Sequence, residues 1–196
     1  MQTDIQGEGQ RTPLILASAS PRRREILDLL GLPFEVKPAP AEAAPDKRLS
    51  PEQAALYIAR DKAEQVAPLY PQRLVIGADT IVVVDGRILG KPADEDDARR
   101  MLTLLQGREH TVMTGVWVCG PDKADGFVER AEVSFYPMSA EDIADYVRSG
   151  EPMDKAGAYG IQGRGMRYVR GICGDFYTVM GLPGARLWRF LREFGG

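Results

Sequence analysis

Apolar and polar positions along this chain switch between two periods, and the switches mark its elements. Residues 14–17 (Leu-Ile-Leu-Ala) form a short unbroken apolar run, which predicts a buried strand. Arg22–Leu30 predicts a helix, with Ser20 as N-cap, Pro21 at the first helical position and Gly31 as the stop. Phe34–Lys37 predicts a second strand, and the Pro/Ala-rich "PAPAEAAPDK" predicts a loop. Ser50-Pro51-Glu52-Gln53 has the pattern of a capping box, opening a helix with Leu56, Ala59, Ala63 and Val66 on one face. The run "LVIGADTIVVV" predicts a strand buried on both sides, and Asp85-Gly86 predicts a hairpin turn after it. Asp94–Leu105 predicts a helix ended by Gly107. "HTVMTGVWVC" and "FVERAEVSFYPM" alternate as strands, and Ser139 with Asp142 caps a helix to Ser149. A strand around Met166–Ile172 and an amphipathic helix from Pro183 to Phe194 complete the pattern. Hairpins and crossovers together predict an α/β fold with a mixed, twisted sheet and flanking helices.

Two of these helices treat charge in opposite ways. The first turn after Asp94 holds Glu95, Asp96 and Asp97, as the positive end of a helix dipole favours. The helix after Ser20 begins instead with Arg22, Arg23 and Arg24, adding positive charge where the backbone is already positive. A bound polyanion removes that penalty, because helix-start N–H groups and guanidinium forks both suit phosphate oxygens. Solvation or pairing with nearby acids is the structural alternative for these arginines. Ser18 and Ser20 add hydroxyl donors at the same turn.

Composition narrows the possible partners. The 196 residues are 44% apolar and 27% charged, with a net charge of −3. No global basic field favours nucleic acid or an anionic membrane, so an anion site must be local. Residues 1–12 read as a flexible polar tail, and residues 13–196 as a single two-lobed domain. The chain shows no leader pattern and no apolar run near the roughly 20 residues that span a bilayer, which predicts a cytoplasmic protein. Cys119 and Cys173 are expected as reduced thiols. His110, the only histidine, has no evident triad partner and is expected to be structural or exposed.

Asp79 interrupts an apolar strand, where an ionised carboxylate is costly without a cation, a metal or several donors. It is a candidate general base or metal ligand; hydrogen bonding to backbone at a strand edge is the bland alternative. Lys62 falls at the edge of a helical apolar face and is placed either in a cleft or in solvent. In a regular hairpin Lys91 is one place out of step with Asp79, so a bulge at Gly90 is expected to bring the two to one side. "DKAGAYGIQGRG" reads as a glycine-rich loop through which backbone approaches a ligand, and the Gln162 amide within it suits a base edge. These residues point to metal-assisted phosphate hydrolysis.

At this point the chain resembles the Maf-like nucleotide pyrophosphatases. "LASASPRRREIL", "ARDKA", "GADTIVVVDGRILGKP", "LQGREHTVMTGV", "DKAGAYGIQG" and "VMGLP" stand in family order over residues 13–192. The resemblance implies a two-lobed α/β fold with a central cleft, like that of inosine triphosphate pyrophosphatases, often as a homodimer. It implies a nucleoside triphosphate diphosphatase using a divalent cation (Mg2+, Mn2+ or Co2+). Ser18, Arg22, Arg23, Lys62 and Lys91 would hold phosphates, and Asp79 would be the proton acceptor and a metal ligand. Arg22, Thr80 and Gln162 match the branch acting on dTTP and UTP. Action on 7-methyl-GTP or another purine nucleotide, or a nucleotide-binding role in septum formation, are the alternatives. One departure concerns the metal. Where the family carries a metal-site glutamate this chain has Ala43, which leaves the preceding Glu42 as the candidate ligand.

Overall fold

The computed structural model describes residues 12–41, 43–44 and 48–194. Among these residues the strands are β1 (Leu14–Leu16), β2 (Phe34–Val36), β3 (Val75–Val84), β4 (Arg87–Leu89), β5 (Glu109–Cys119), β6 (Ala124–Phe135) and β7 (Val169–Gly174). The helices are α1 (Pro21–Leu29), α2 (Pro51–Val66), α3 (Glu95–Leu105), α4 (Ala140–Arg148), α5 (Phe176–Met180) and α6 (Gly184–Phe194). The strands form one hydrogen-bonded sheet in the order β2-β1-β3-β5-β6-β7, with β4 paired to β3. β1 is parallel to β2 and β3, whereas β4 on β3 and β7 on β6 are antiparallel. The sheet is therefore mixed, as the combination of hairpins and crossovers implies.

The chain divides into two compact units. One takes in the described residues through Asp79, Gly115–Val128 and those from Gly181 onward; the other comprises Thr80–Thr114 and Glu129–Met180. Ile15, Ala17, Ala63, Val66, Val75 and Cys119 pack together in the first unit. In the second, Leu102 and Leu105 of α3 pack with Val112, Val133, Phe135 and Tyr159.

Local chemistry sets several of the element ends. At the start of α2, Ser50 Oγ accepts from the Gln53 N–H at 3.2 Å, and Gln53 Oε1 accepts from the Ser50 N–H at 2.9 Å. This is the reciprocal box expected there. Asp85 and Gly86 both take positive φ, at 50° and 72°, in a two-residue turn that pairs Val84 with Arg87. The buried face of α2 includes Ala59, Ala63 and Val66, as expected, but is wider and excludes Leu56. It carries Ala54, Ala55, Ile58, Ala59, Lys62, Ala63 and Val66, while Leu56 is only half-buried. The reason is a close approach: Gly77 on β3 lies under Ala59 and Ala63, and Gly115 on β5 lies under Ala55. Small residues on both sides let helix and strand backbones nearly touch. The strand expected around Met166–Ile172 begins later, at Val169, because Gly163–Tyr168 folds into 3-10 turns.

His110 takes the structural of its two expected placements, buried at 3% accessibility. Its Nε2 and the Tyr159 hydroxyl are 2.8 Å apart, and its ring stands edge-on to Phe135 and Tyr159. Burial pulls its pKa from 6.5 down to about 4. The unfolded chain thus takes up a proton between those values that the folded chain refuses. The contribution of His110 to stability is complete above pH 6.5 and is lost as the pH falls toward 4. Over that window the loss amounts to roughly 3 kcal/mol. Urea unfolding of the wild type and of His110→Phe at pH 7 and pH 5 should show the smaller acid loss in the variant. Equal losses would mean that the imidazole is not the group concerned.

Candidate active site

The strand-to-helix turn between β1 and α1 puts the first group of side chains in place. Ser20 has the extended conformation of an N-cap but makes no side-chain capping bond, and the first turn contains no acid. The helix-start N–H groups and the arginines thus reinforce one another, whereas α3 follows the opposite logic. There Asp94 caps the Asp97 N–H at 2.8 Å, and Asp97 pairs with Arg100.

The three arginines have separate fates. Arg23 is buried; its Nε donates to the Gly181 carbonyl at 2.9 Å and its Nη1 to Ser18 Oγ at 2.9 Å. It joins α1 to the segment before α6 and orients the serine. Ser18 Oγ also accepts from the Ser20 N–H at 3.2 Å. With two donors already aimed at this oxygen, the serine's own proton is turned toward other acceptors. Arg22 is half-buried and Arg24 exposed. Arg22 is thus the more accessible of the two arginines expected at phosphate.

Lys62 and Asp79 form the second group. Lys62 lies on the buried face of α2 and its Nζ donates to Asp79 Oδ1 at 2.8 Å. Both side chains are largely enclosed, at 11% and 13% accessibility. The lysine supplies the cation that a carboxylate in an apolar strand requires. The ammonium takes one carboxylate oxygen, so the second oxygen is the one suited to accept a proton.

The bulge expected at Gly90 does not form. No bulge interrupts the β3–β4 ladder; Val82, Val83 and Val84 pair in unbroken register with Leu89, Ile88 and Arg87. β4 simply ends at Leu89, and the Gly90 carbonyl instead accepts from the Gly157 N–H at 3.0 Å. Lys91 follows as an exposed residue, and the ion pair of Asp79 is made with Lys62.

Gln162 sits in a loop tied down along its length. Gly160 N–H donates to the Tyr146 hydroxyl at 3.1 Å, and that hydroxyl donates to Glu151 Oε1 at 2.9 Å. The N–H groups of Arg164 and Gly165 reach the same carboxylate at 2.8 and 3.0 Å. Burial pushes the Glu151 pKa up, but these donors and Lys155 outweigh it and hold the group below its usual range. Lys155 Nζ in turn donates to the Glu151 carbonyl and to Asp154 Oδ1, both at 2.6 Å. Gly157 takes φ +68, and a Cβ there would meet Val82 Cγ2 at 2.9 Å. The glycines thus serve close packing, and Glu151 organises the loop that carries Gln162. The sequence signal for Glu151 was only its place just before "DKAG". Thr80, which follows Asp79, contacts the Thr114 hydroxyl at 2.9 Å.

A divalent cation finds limited protein chemistry here. Among the described residues no three His, Cys, Asp or Glu side chains cluster to hold one. Ala43 offers no ligand, and Glu42 lies outside the described residues. Mg2+, however, commonly takes one or two carboxylates and fills its shell with substrate phosphates and water. Asp79 fits that arrangement.

The Maf-like protein family model matches residues 13–194. A dTTP/UTP pyrophosphatase of Koribacter versatilis (strain Ellin345) is 52% identical over 182 residues, covering 93% of this chain and 94% of that protein. A dTTP/UTP pyrophosphatase of Bacillus cereus (strain G9842) is 48% identical over 181 residues, covering 92% and 95%. In fold, the chain is similar to the Staphylococcus aureus Ham1 protein, with a TM-score of 0.50 at 14% identity over 94% of this chain and 100% of that one. Identity at this level across nearly the whole length, together with the motifs around Ser18, Asp79 and Gln162, leads to one conclusion: the chain belongs to the Maf-like family.

Proposed function

We infer that this chain hydrolyses dTTP and UTP to the nucleoside monophosphate and pyrophosphate. The observation that carries this reading is the identity of about half of all positions, over more than nine-tenths of the chain, with relatives named for that activity. The enclosed Lys62–Asp79 pair supplies chemistry suited to it.

In this reading Asp79 accepts a proton from the attacking water as its oxygen bonds to the α-phosphorus. The bond from that phosphorus to the bridging oxygen breaks, and pyrophosphate leaves. Arg22, the Ser18 hydroxyl, Lys62 and Lys91 compensate the phosphate charge, with Arg23 holding Ser18 in orientation. A divalent cation held by Asp79 together with the substrate would lower the pKa of a bound water and neutralise phosphate charge. Thr80 and Gln162 are assigned to the nucleoside portion through the resemblance. The cytoplasmic location and the homodimer belong to the same reading; no helix among the described residues is long and apolar enough to cross a membrane.

A panel of nucleoside triphosphates with Mg2+, Mn2+ or Co2+ tests the reading directly. Pyrophosphate should be released from dTTP and UTP, and far more slowly from 7-methyl-GTP. Orthophosphate as the first product would place the broken bond elsewhere. Tight binding without turnover under every metal would favour a nucleotide-binding role instead.

A further inference from the structure

Thr114 on β5 and Thr178 on α5 are fully buried, and neither belongs to the mechanism above. The Thr114 hydroxyl donates to the Thr178 carbonyl at 2.8 Å. A carbonyl cannot donate and a hydroxyl has one proton, so the proton of Thr114 is committed to that bond. The 2.9 Å contact between Thr80 Oγ1 and Thr114 Oγ1 then has only one polarity: Thr80 donates and Thr114 accepts. The far end of the chain of bonds is also held. Asp175 Oδ2 accepts from the Thr178 N–H at 2.7 Å and from its hydroxyl at 2.8 Å, which fixes the carbonyl that Thr114 addresses.

The direction of this relay has a consequence for Thr80. With its own proton turned toward Thr114, its oxygen can offer only lone pairs to any further partner. We propose that Thr114 is a positioning residue that fixes the Thr80 hydroxyl as a hydrogen-bond acceptor, which selects a nucleotide carrying a ring N–H. Thymine and uracil present such a donor at N3; cytosine presents a lone pair at that atom. The proposal deepens the dTTP/UTP reading and rests on it, because Thr80 meets the base only if that reading holds.

The test compares kcat/KM for UTP with that for CTP in the wild type, Thr114→Val and Thr114→Ser. Valine keeps the volume but neither donates nor accepts, so the Thr80 proton loses the acceptor that sets its direction. The UTP:CTP ratio should then fall by roughly tenfold, about the scale of one hydrogen bond. Serine restores the hydroxyl and should keep the ratio within about twofold of the wild type. A merely structural role would slow both nucleotides together and leave the ratio unchanged, which would overturn the proposal.

Wild-type protein assayed with N3-methyl-UTP provides the same contrast without any substitution, should the valine variant fail to fold. Loss of the donor should reduce kcat/KM by at least about tenfold. Turnover of N3-methyl-UTP equal to that of UTP would overturn the relay while leaving the pyrophosphatase reading intact. Failure of the wild type to hydrolyse UTP at all would overturn both.

Discussion

Asp79→Asn should reduce pyrophosphate release from dTTP by roughly a hundredfold to ten-thousandfold, the range associated with loss of a positioned general base. The substitution suits the question because it preserves shape. The asparagine side-chain oxygen can still accept from Lys62 Nζ, so the bond now seen at 2.8 Å has a replacement. What disappears is the negative charge and the ability to take a proton from water. The melting temperature should fall, because the enclosed Lys62 keeps a hydrogen-bond acceptor but loses its counter-charge, while turnover of the folded enzyme at saturating dTTP falls steeply. The split between kcat and KM is informative. Loss confined to kcat fits a group acting in the transition state, whereas a rise in KM alone would assign Asp79 to ground-state binding. A variant within tenfold of wild-type kcat would remove Asp79 from the role of proton acceptor.

How far these features could be read from sequence depended on how local their causes are. The Ser50–Gln53 box, the Asp85-Gly86 turn and the acid-capped start of α3 each lie within a few residues, and their side-chain chemistry dictates them directly. The lysine beside Asp79 was legible only as a possibility, because its partner comes from another element. Arg23 shows the limit more sharply. Nothing near "SPRRR" indicates that the middle arginine turns inward, since its carbonyl partner Gly181 lies 158 positions along the chain. The relay from Thr80 is equally nonlocal: Thr114 is 34 positions from it and Thr178 a further 64. For His110 a signal did exist. It falls on the same pleat of β5 as Val112 and Val116, both fully buried, so alternation alone pointed inward. The helix α5 left no periodic trace because it has only five residues between Asp175 and Gly181. The full width of the buried α2 face is not legible in sequence, because Ala54 and Ala55 carry little hydrophobic signal and the role of such alanines depends on the glycines opposite them.

That glycine contact makes Gly77→Ala the substitution with the largest expected cost to folding. A Cβ at this position would lie 2.1 Å from the Ala59 carbonyl oxygen and 2.8 Å from the Ala63 amide nitrogen. Both are backbone atoms, so no side-chain rotation relieves the clash, and α2 must move away from β3. Overpacking of a core typically costs 1–3 kcal/mol, and a clash with rigid backbone should reach about 3 kcal/mol or more. The same movement reaches the candidate active site through a short path. Lys62 is the neighbour of Ala63 on α2, and Asp79 stands two positions beyond Gly77 on β3. Retreat of the helix therefore lengthens the 2.8 Å ion pair and leaves an enclosed carboxylate without its cation. Gly171→Ala is the matched control: its added methyl meets nothing within 4 Å, so stability should stay within about 0.5 kcal/mol of the wild type. Chemical denaturation measures the first effect, and kcat of the folded fraction at low temperature measures the second. If Gly77→Ala unfolds at the wild-type midpoint, the packing of α2 on β3 is looser than this contact implies. If it is destabilised yet fully active when folded, the Lys62–Asp79 distance does not govern turnover.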